Sequence, residues 1–142
     1  MLVVLAVVFA SCTTDSEQPA NQDDLTLDVA ERTAILSQLE TTLSAEKGIT
    51  IKYETYEVFQ IDENFYLRAQ SGDFVTTTLL QRTPNGKLMG LGVSCTSSSC
   101  SNSTTECIPN WSNDIPTCTD CNQGTKDCTR TITSGVQLQQ VQ

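Results

Sequence analysis

The chain has 142 residues, with 8 Lys+Arg against 17 Asp+Glu, a net charge of −9, 7 Cys and no His. That length suits one principal core and is short for two. An acidic surface repels phosphate backbones, which excludes nucleic-acid binding through a basic face. The lack of His excludes Ser-His-Asp and Cys-His nucleophile systems, His metal ligands and His pH switches. No P-loop occurs, and Gly90-Leu91-Gly92 lacks the third glycine of a dinucleotide fingerprint. Neither an enzymatic activity nor a cofactor is expected.

Nine consecutive apolar residues, Leu2 to Ala10, precede Ser11 and Cys12. A helix needs about 20 residues to cross the hydrocarbon core, so this run fits the h-region of a secretory signal instead. Thr13 to Asp24 holds Asp15, Glu17, Asp23 and Asp24 among small polar residues and Pro19, with nothing apolar larger than Ala. Such a stretch buries too little surface to offset its ordering entropy, so residues 12–24 read as an acidic flexible tether.

Phe9-Ala10-Ser11-Cys12 resembles the lipobox of bacterial lipoproteins, with Phe9 where that family carries Leu, Val or Ile. The resemblance implies that residues 1–11 are a signal peptide and that Cys12 is acylated. The acidic residues just after Cys12 are similar to the surface-export signal of Bacteroidota lipoproteins. The implied location is the outer membrane, lipid-anchored, facing the periplasm or the cell surface. Three acyl chains, at about 0.8 kcal/mol per buried CH₂, make such an anchor effectively permanent.

Residues 25–94 read as a small α+β body. Asp28-x-x-Glu31 has capping-box spacing, Val29, Leu36, Leu39 and Leu43 recur on one helical face, and Gly48 follows Lys47. A helix over 28–47 is expected, its apolar stripe packed on a sheet. Ile49, Ile51 and Tyr53 alternate with polar residues as in a half-buried strand, and Glu57 breaks that face, so a bulge is expected near 55–57. Asp62-Glu63-Asn64 and Ser71-Gly72-Asp73 are turn signals, and Pro84-Asn85-Gly86-Lys87 is the strongest, because Asn-Gly tolerates positive φ. Met89, Leu91 and Val93 are expected to line one face of a fourth strand. One N-terminal helix packed on a four- to five-strand antiparallel meander results.

Functional signals in this body are few. Tyr53, Tyr56, Phe59, Phe65 and Tyr66 offer aromatic faces of the kind that stack on sugars, against which stands ordinary core packing. Asp62 and Glu63 are adjacent and would point to opposite sides of a strand, a poor acid/base pair and a good turn.

Residues 95–142 differ in composition: 6 Cys and 16 Ser+Thr stand against 7 large apolar or aromatic residues. So few hydrophobes make no independent core, and cross-links are the usual substitute. With Cys12 set aside for lipid, Cys95, Cys100, Cys107, Cys118, Cys121 and Cys128 suit three disulfides among 15 connectivities. A zinc site on Cys118-x-x-Cys121 and Cys95-x4-Cys100 is the rival; it leaves Cys107 and Cys128 over and needs reduced thiolates. A redox role for Cys118 and Cys121 is opposed by Asp120 and Asp114, which raise thiol pKa values. Asp120-x-Asn122-x-Gly124 with Asp127 resembles the opening of a calcium loop and lacks its closing Glu, so a turn is expected and no metal. Asn102-Ser103-Thr104 and Asn110-Trp111-Ser112 match the glycosylation sequon and read as ordinary loop. Trp111, between Pro109 and Pro116, is expected to plug the disulfide knot, the alternative being an exposed binding anchor. Cys128 to Thr133 alternates and suits an added edge strand, and Gln137 to Gln142 reads as a frayed terminus.

The whole chain loosely resembles small cysteine-rich lipoproteins of Bacteroidota. The function expected is a lipid-anchored, non-enzymatic binding or accessory module, its partners the membrane and another envelope protein, for instance in an outer-membrane complex. The rivals are a glycan-binding lipoprotein using Trp111, Tyr53 and Tyr56, and a zinc or redox protein using the C-x-x-C pair.

Overall fold

A computed structural model describes residues 25–100, 102–121 and 127–133. The expected signal peptide, Cys12, the tether and residues 137–142 lie outside the described residues, as do Asn122 and Gly124 of the calcium-like loop. Helix α1 spans Val29–Lys47, and seven strands follow: β1 Thr55–Ile61, β2 Asn64–Ser71, β3 Phe74–Arg82, β4 Leu88–Ser97, β5 Pro109–Ser112, β6 Ile115–Cys118 and β7 Thr129–Ile132. One antiparallel sheet has the order β1-β2-β3-β4-β7, and β5-β6 form a separate hairpin. The fifth strand of the large sheet is the edge strand expected after Cys128. Among the described residues no helix is long and apolar enough to cross a membrane.

The ends of α1 follow from its caps. The Asp28 carboxylate accepts the Ala30 N–H at 2.8 Å, and Gly48, at φ 66°, donates its N–H to the Ser44 carbonyl. Glu31 does not close the capping box. Its carboxylate accepts the Gly90 N–H of β4 at 3.0 Å instead, where the missing Gly90 side chain lets Ile35 come close. Val29 departs from the expected stripe at 64% exposed, while Leu39 and Leu43 are buried.

Residues 49–54 are not a strand. Three of their N–H groups are taken by side chains: Ile51 donates to Ser44 Oγ, Lys52 to Ser71 Oγ and Tyr53 to Glu40 Oε1. The alternation still has meaning, since Ile51 is buried and Tyr53 half-buried in a cluster with Leu39 and Leu43. No bulge occurs at 55–57; β1 begins there and pairs with β2 in unbroken register from Thr55↔Gln70 to Ile61↔Asn64. The irregularity lies in β4, whose register against β3 shifts between Thr78 and Leu80, with Gly92 at φ 68°. It breaks the expected face, leaving Met89 exposed, Leu91 half-buried and Val93 buried.

Strand alternation gives the large sheet two apolar faces. Leu67, Leu80 and Leu88 cluster with Leu27, and Ile35, Leu36, Val58 and Phe65 pack around them. On the other face Tyr66, Leu79 and Ile108 cluster, flanked by Phe59, Ile61 and Leu91. The first face also carries buried hydroxyls: Tyr53 Oη donates to Thr76 Oγ1 at 2.7 Å, Thr76 bonds Thr96, and Thr78 bonds Ser94. Burial pushes the Tyr53 phenol up to about 12, with the nearby Glu40 charge adding to the rise against the Thr76 bond. A folded pKa above the ordinary value of about 10 means this stabilisation is complete below pH 10 and fades as pH climbs toward 12. Ultraviolet titration of the three tyrosines is expected to show a phenolate step near pH 12 that Tyr53→Phe removes. A Tyr53→Phe variant that loses a step with its midpoint near pH 10 instead would contradict the burial of Tyr53.

Candidate functional site

The cysteine-rich segment forms three disulfides, Cys95–Cys118, Cys100–Cys121 and Cys107–Cys128, joining first to fourth, second to fifth and third to sixth. Cys95, Cys100, Cys107 and Cys121 are buried together, with Cys118 and Cys128 packed against them. Ser97 supports the cluster, its Oγ accepting the Ser99 and Cys100 N–H groups. Cys118 and Cys121 stand in different disulfides, so the C-x-x-C pair is no dithiol. Cys95, Cys118 and Cys128, and likewise Cys100, Glu106 and Cys121, come within metal-ligand distance of one another. Every cysteine in both groups is disulfide-bonded and lacks the thiolate that zinc takes.

The hairpin β5–β6 rises from this cluster. Its turn, Asn113-Asp114 at φ 52° and 63°, is the left-handed pair that matches strand twist. One foot begins just after Cys107, which is bonded to Cys128, and the other ends on Cys118, which is bonded to Cys95 of β4. Backbone bonds close the base: Thr119 N–H to the Ile108 carbonyl at 3.0 Å and Cys107 N–H to the Thr119 carbonyl at 3.2 Å. The Arg130 guanidinium donates to the Pro116 carbonyl, and Tyr66 Oη reaches the Pro109 carbonyl. Trp111 pairs across the hairpin with Pro116.

Trp111 therefore does not plug the knot. It is 37% exposed on the hairpin, and Ile115 nearby is 57% exposed. The cystines pack against one another and leave the indole outside. Neither tyrosine joins it. Tyr53 is half-buried beside Leu39 and Leu43, and Tyr56, on edge strand β1, lies under the Arg32 guanidinium of α1 at 4.3 Å. The remaining aromatics serve the sheet: Phe59 stacks on Tyr66, and Arg82 covers Phe65. Asp62 and Glu63 occupy the β1–β2 turn, as expected.

Two polar anchors of this region escape sequence reasoning. Buried Arg68 of β2 donates to the Ser103 carbonyl, holding the Cys100–Cys107 loop, and burial lowers its pKa against the nearby Glu57 charge. Asp127 accepts Ser98 Oγ at 2.7 Å, Ser99 Oγ at 2.9 Å and the Ser98 N–H at 3.1 Å. In both cases the partner lies about thirty residues away in sequence, where no local pattern reveals it. The Ser98 hydroxyl bond, followed by Ser99, holds the Asp127 carboxyl below its ordinary value against a smaller desolvation effect. A depressed folded pKa gives stability that is present above the ordinary value of about 4 and lost as pH falls through the folded value. Asp127→Asn is expected to cost about 1 kcal/mol at neutral pH, a value reduced by solvent screening, and to flatten the acid limb of a stability-versus-pH curve. An unchanged acid limb would remove Asp127 as an anchor.

A cavity of about 180 Å³ separates α1 from β4, lined by Glu31, Ile35, Gln38, Leu39, Thr78 and Ser94, among others. Thr131, paired with Ser94, is buried, and its Oγ1 has no hydrogen-bond partner among the described residues. Comparison with protein-family models, curated protein sequences and solved structures finds no match.

Proposed function

We propose that the chain is a lipid-anchored cell-envelope protein that acts without catalysis, presenting a disulfide-clamped hairpin to another envelope protein. The anchor is Cys12, the spacer the acidic segment 12–24, and the contact residue Trp111. The observation carrying this reading is an exposed indole on a short hairpin whose two feet end in separate disulfides. A hairpin backbone fixed in this way loses little further entropy on binding, and Trp is enriched among residues that dominate interface energy. The test is chemical cross-linking of the full acylated chain in intact cells. A discrete larger species is expected, reduced at least tenfold by Trp111→Ala, while Cys12→Ser releases the protein from membranes. An undiminished species in Trp111→Ala would place the contact elsewhere.

A second reading, glycan binding, is favoured by the same exposed Trp111, flanked by Asn110 and Ser112. A shift in indole fluorescence on adding oligosaccharide to the isolated protein would support it. Tyr53 and Tyr56 contribute no adjoining aromatic face, which is why the protein partner stands first.

A further inference from the structure

The three disulfides differ in their access to one another. The Sγ atoms of Cys95, Cys118 and Cys128 lie within 4.8 Å of one another, so two of the bridges meet sulfur against sulfur. Cys95 is fully buried and Cys107 is 4% exposed, whereas Cys118 and Cys128 are half-buried. Each of these two bridges thus joins one buried cysteine to one half-buried cysteine. The third bridge is shielded differently. Cys100 and Cys121 are both buried, and a Glu106 carboxylate oxygen lies within 4.8 Å of both sulfurs. A negative charge there repels an attacking thiolate. Arg130 pairs through its backbone with Cys95, and its guanidinium donates to the Pro116 carbonyl, two residues before Cys118.

We propose that Cys95, Cys118 and Cys128 form a disulfide-exchange triad, in which reduction of Cys107–Cys128 by an external dithiol moves Cys118 from Cys95 to Cys128 and re-anchors the Trp111 hairpin. One thiolate of the dithiol attacks Cys128 Sγ and Cys107 leaves as thiolate, taking up a proton. The second thiol of the reductant then closes its own disulfide and expels the Cys128 thiolate. Two electrons have passed from the dithiol to the Cys107–Cys128 bond. The Cys128 thiolate next attacks Cys118 Sγ, forming Cys118–Cys128 and releasing Cys95 as a thiolate that is protonated, with no further electron transfer. The hairpin goes from two anchor points to one, because Cys107 is free and Cys118 is tied to the residue preceding β7. This regulation rests on the hairpin being the contact surface proposed above; the exchange chemistry itself does not.

Disulfide mapping of the full acylated chain, with no partner present, tests the exchange. In Cys107→Ser the accessible thiol starts on Cys128, and a Cys118–Cys128 cross-linked peptide with alkylated Cys95 is expected in major yield after acid trapping at neutral-pH equilibrium. In the unsubstituted chain treated with limiting dithiothreitol, alkylation is expected first at Cys107 and Cys128, then at Cys107 and Cys95, with Cys100–Cys121 intact throughout. The second experiment starts from the folded native protein, so it decides the matter even if the variant folds poorly. Persistence of Cys95–Cys118 beside a stably alkylated Cys128 overturns the triad and leaves the contact role of Trp111 untouched. Loss of cross-linking in Trp111→Ala is read separately on the oxidised protein.

Discussion

Joint replacement of Cys95 and Cys118 by Ala is expected to lower the free energy of unfolding by about 3 kcal/mol. The bridge closes a sequence separation of 23 residues, a loop whose entropy in the unfolded chain falls by that order when its ends are joined. It also ties the end of β6 to the C-terminal part of β4, where Cys95 is fully buried opposite Thr77 and Arg130. The segment that contains it has little else to rely on: among the described residues, Ile108 is the one large apolar side chain it commits to the sheet cluster. Urea unfolding by circular dichroism measures the loss. Alanine is preferred to serine here because a hydroxyl in place of Cys95 would add a buried polar group to the cost. An effect under about 0.5 kcal/mol would mean that the bridge does not constrain the unfolded chain.

Leu67→Ala is expected to cost about 3 kcal/mol, within the range of 2–5 for a buried leucine. Leu67 is 1% exposed at the centre of β2, and it packs in one cluster with Leu27, Leu80 and Leu88. Its strand is hydrogen-bonded on both sides, pairing Leu67 with Val58 and Thr78, so the sheet cannot easily collapse into the gap. A fall of on the order of 10 °C in the thermal midpoint follows. Val29→Ala is the control. The helical period places Val29 on the buried stripe, yet it is 64% exposed, and its replacement is expected to change stability by less than about 0.5 kcal/mol. Equal losses at both positions would contradict the packing of this face.

These contrasts mark what the sequence makes legible. Short-range signals read well: Asp28 and Gly48 end the helix where expected, and the turns at Asp62-Glu63, Gly72-Asp73 and Pro84 to Gly86 separate the strands. Each depends on φ preferences or capping groups within a few residues. Signals that need a distant partner read badly. Glu31 sits at capping-box spacing, but the Gly90 N–H, 59 residues away, takes its carboxylate. Residues 49–54 alternate like a strand, and side chains of α1 and β2 take three consecutive N–H groups, those of Ile51, Lys52 and Tyr53. The six cysteines announce disulfides through composition alone, whereas their pairing depends on which strands meet. Trp111 reads as a plug for the knot although its segment is poor in hydrophobes; the cystines pack on one another, and the indole stands 37% exposed on the hairpin.

The most direct test of an exported, lipid-anchored and disulfide-held protein is the intact mass of the membrane-extracted chain, alkylated with and without prior reduction. The account expects a lipid mass on Cys12, no alkylation before reduction, and six alkylated cysteines after it. Reaction of four or more thiols without reduction would contradict it and return Cys118 and Cys121 to consideration as a metal or redox site.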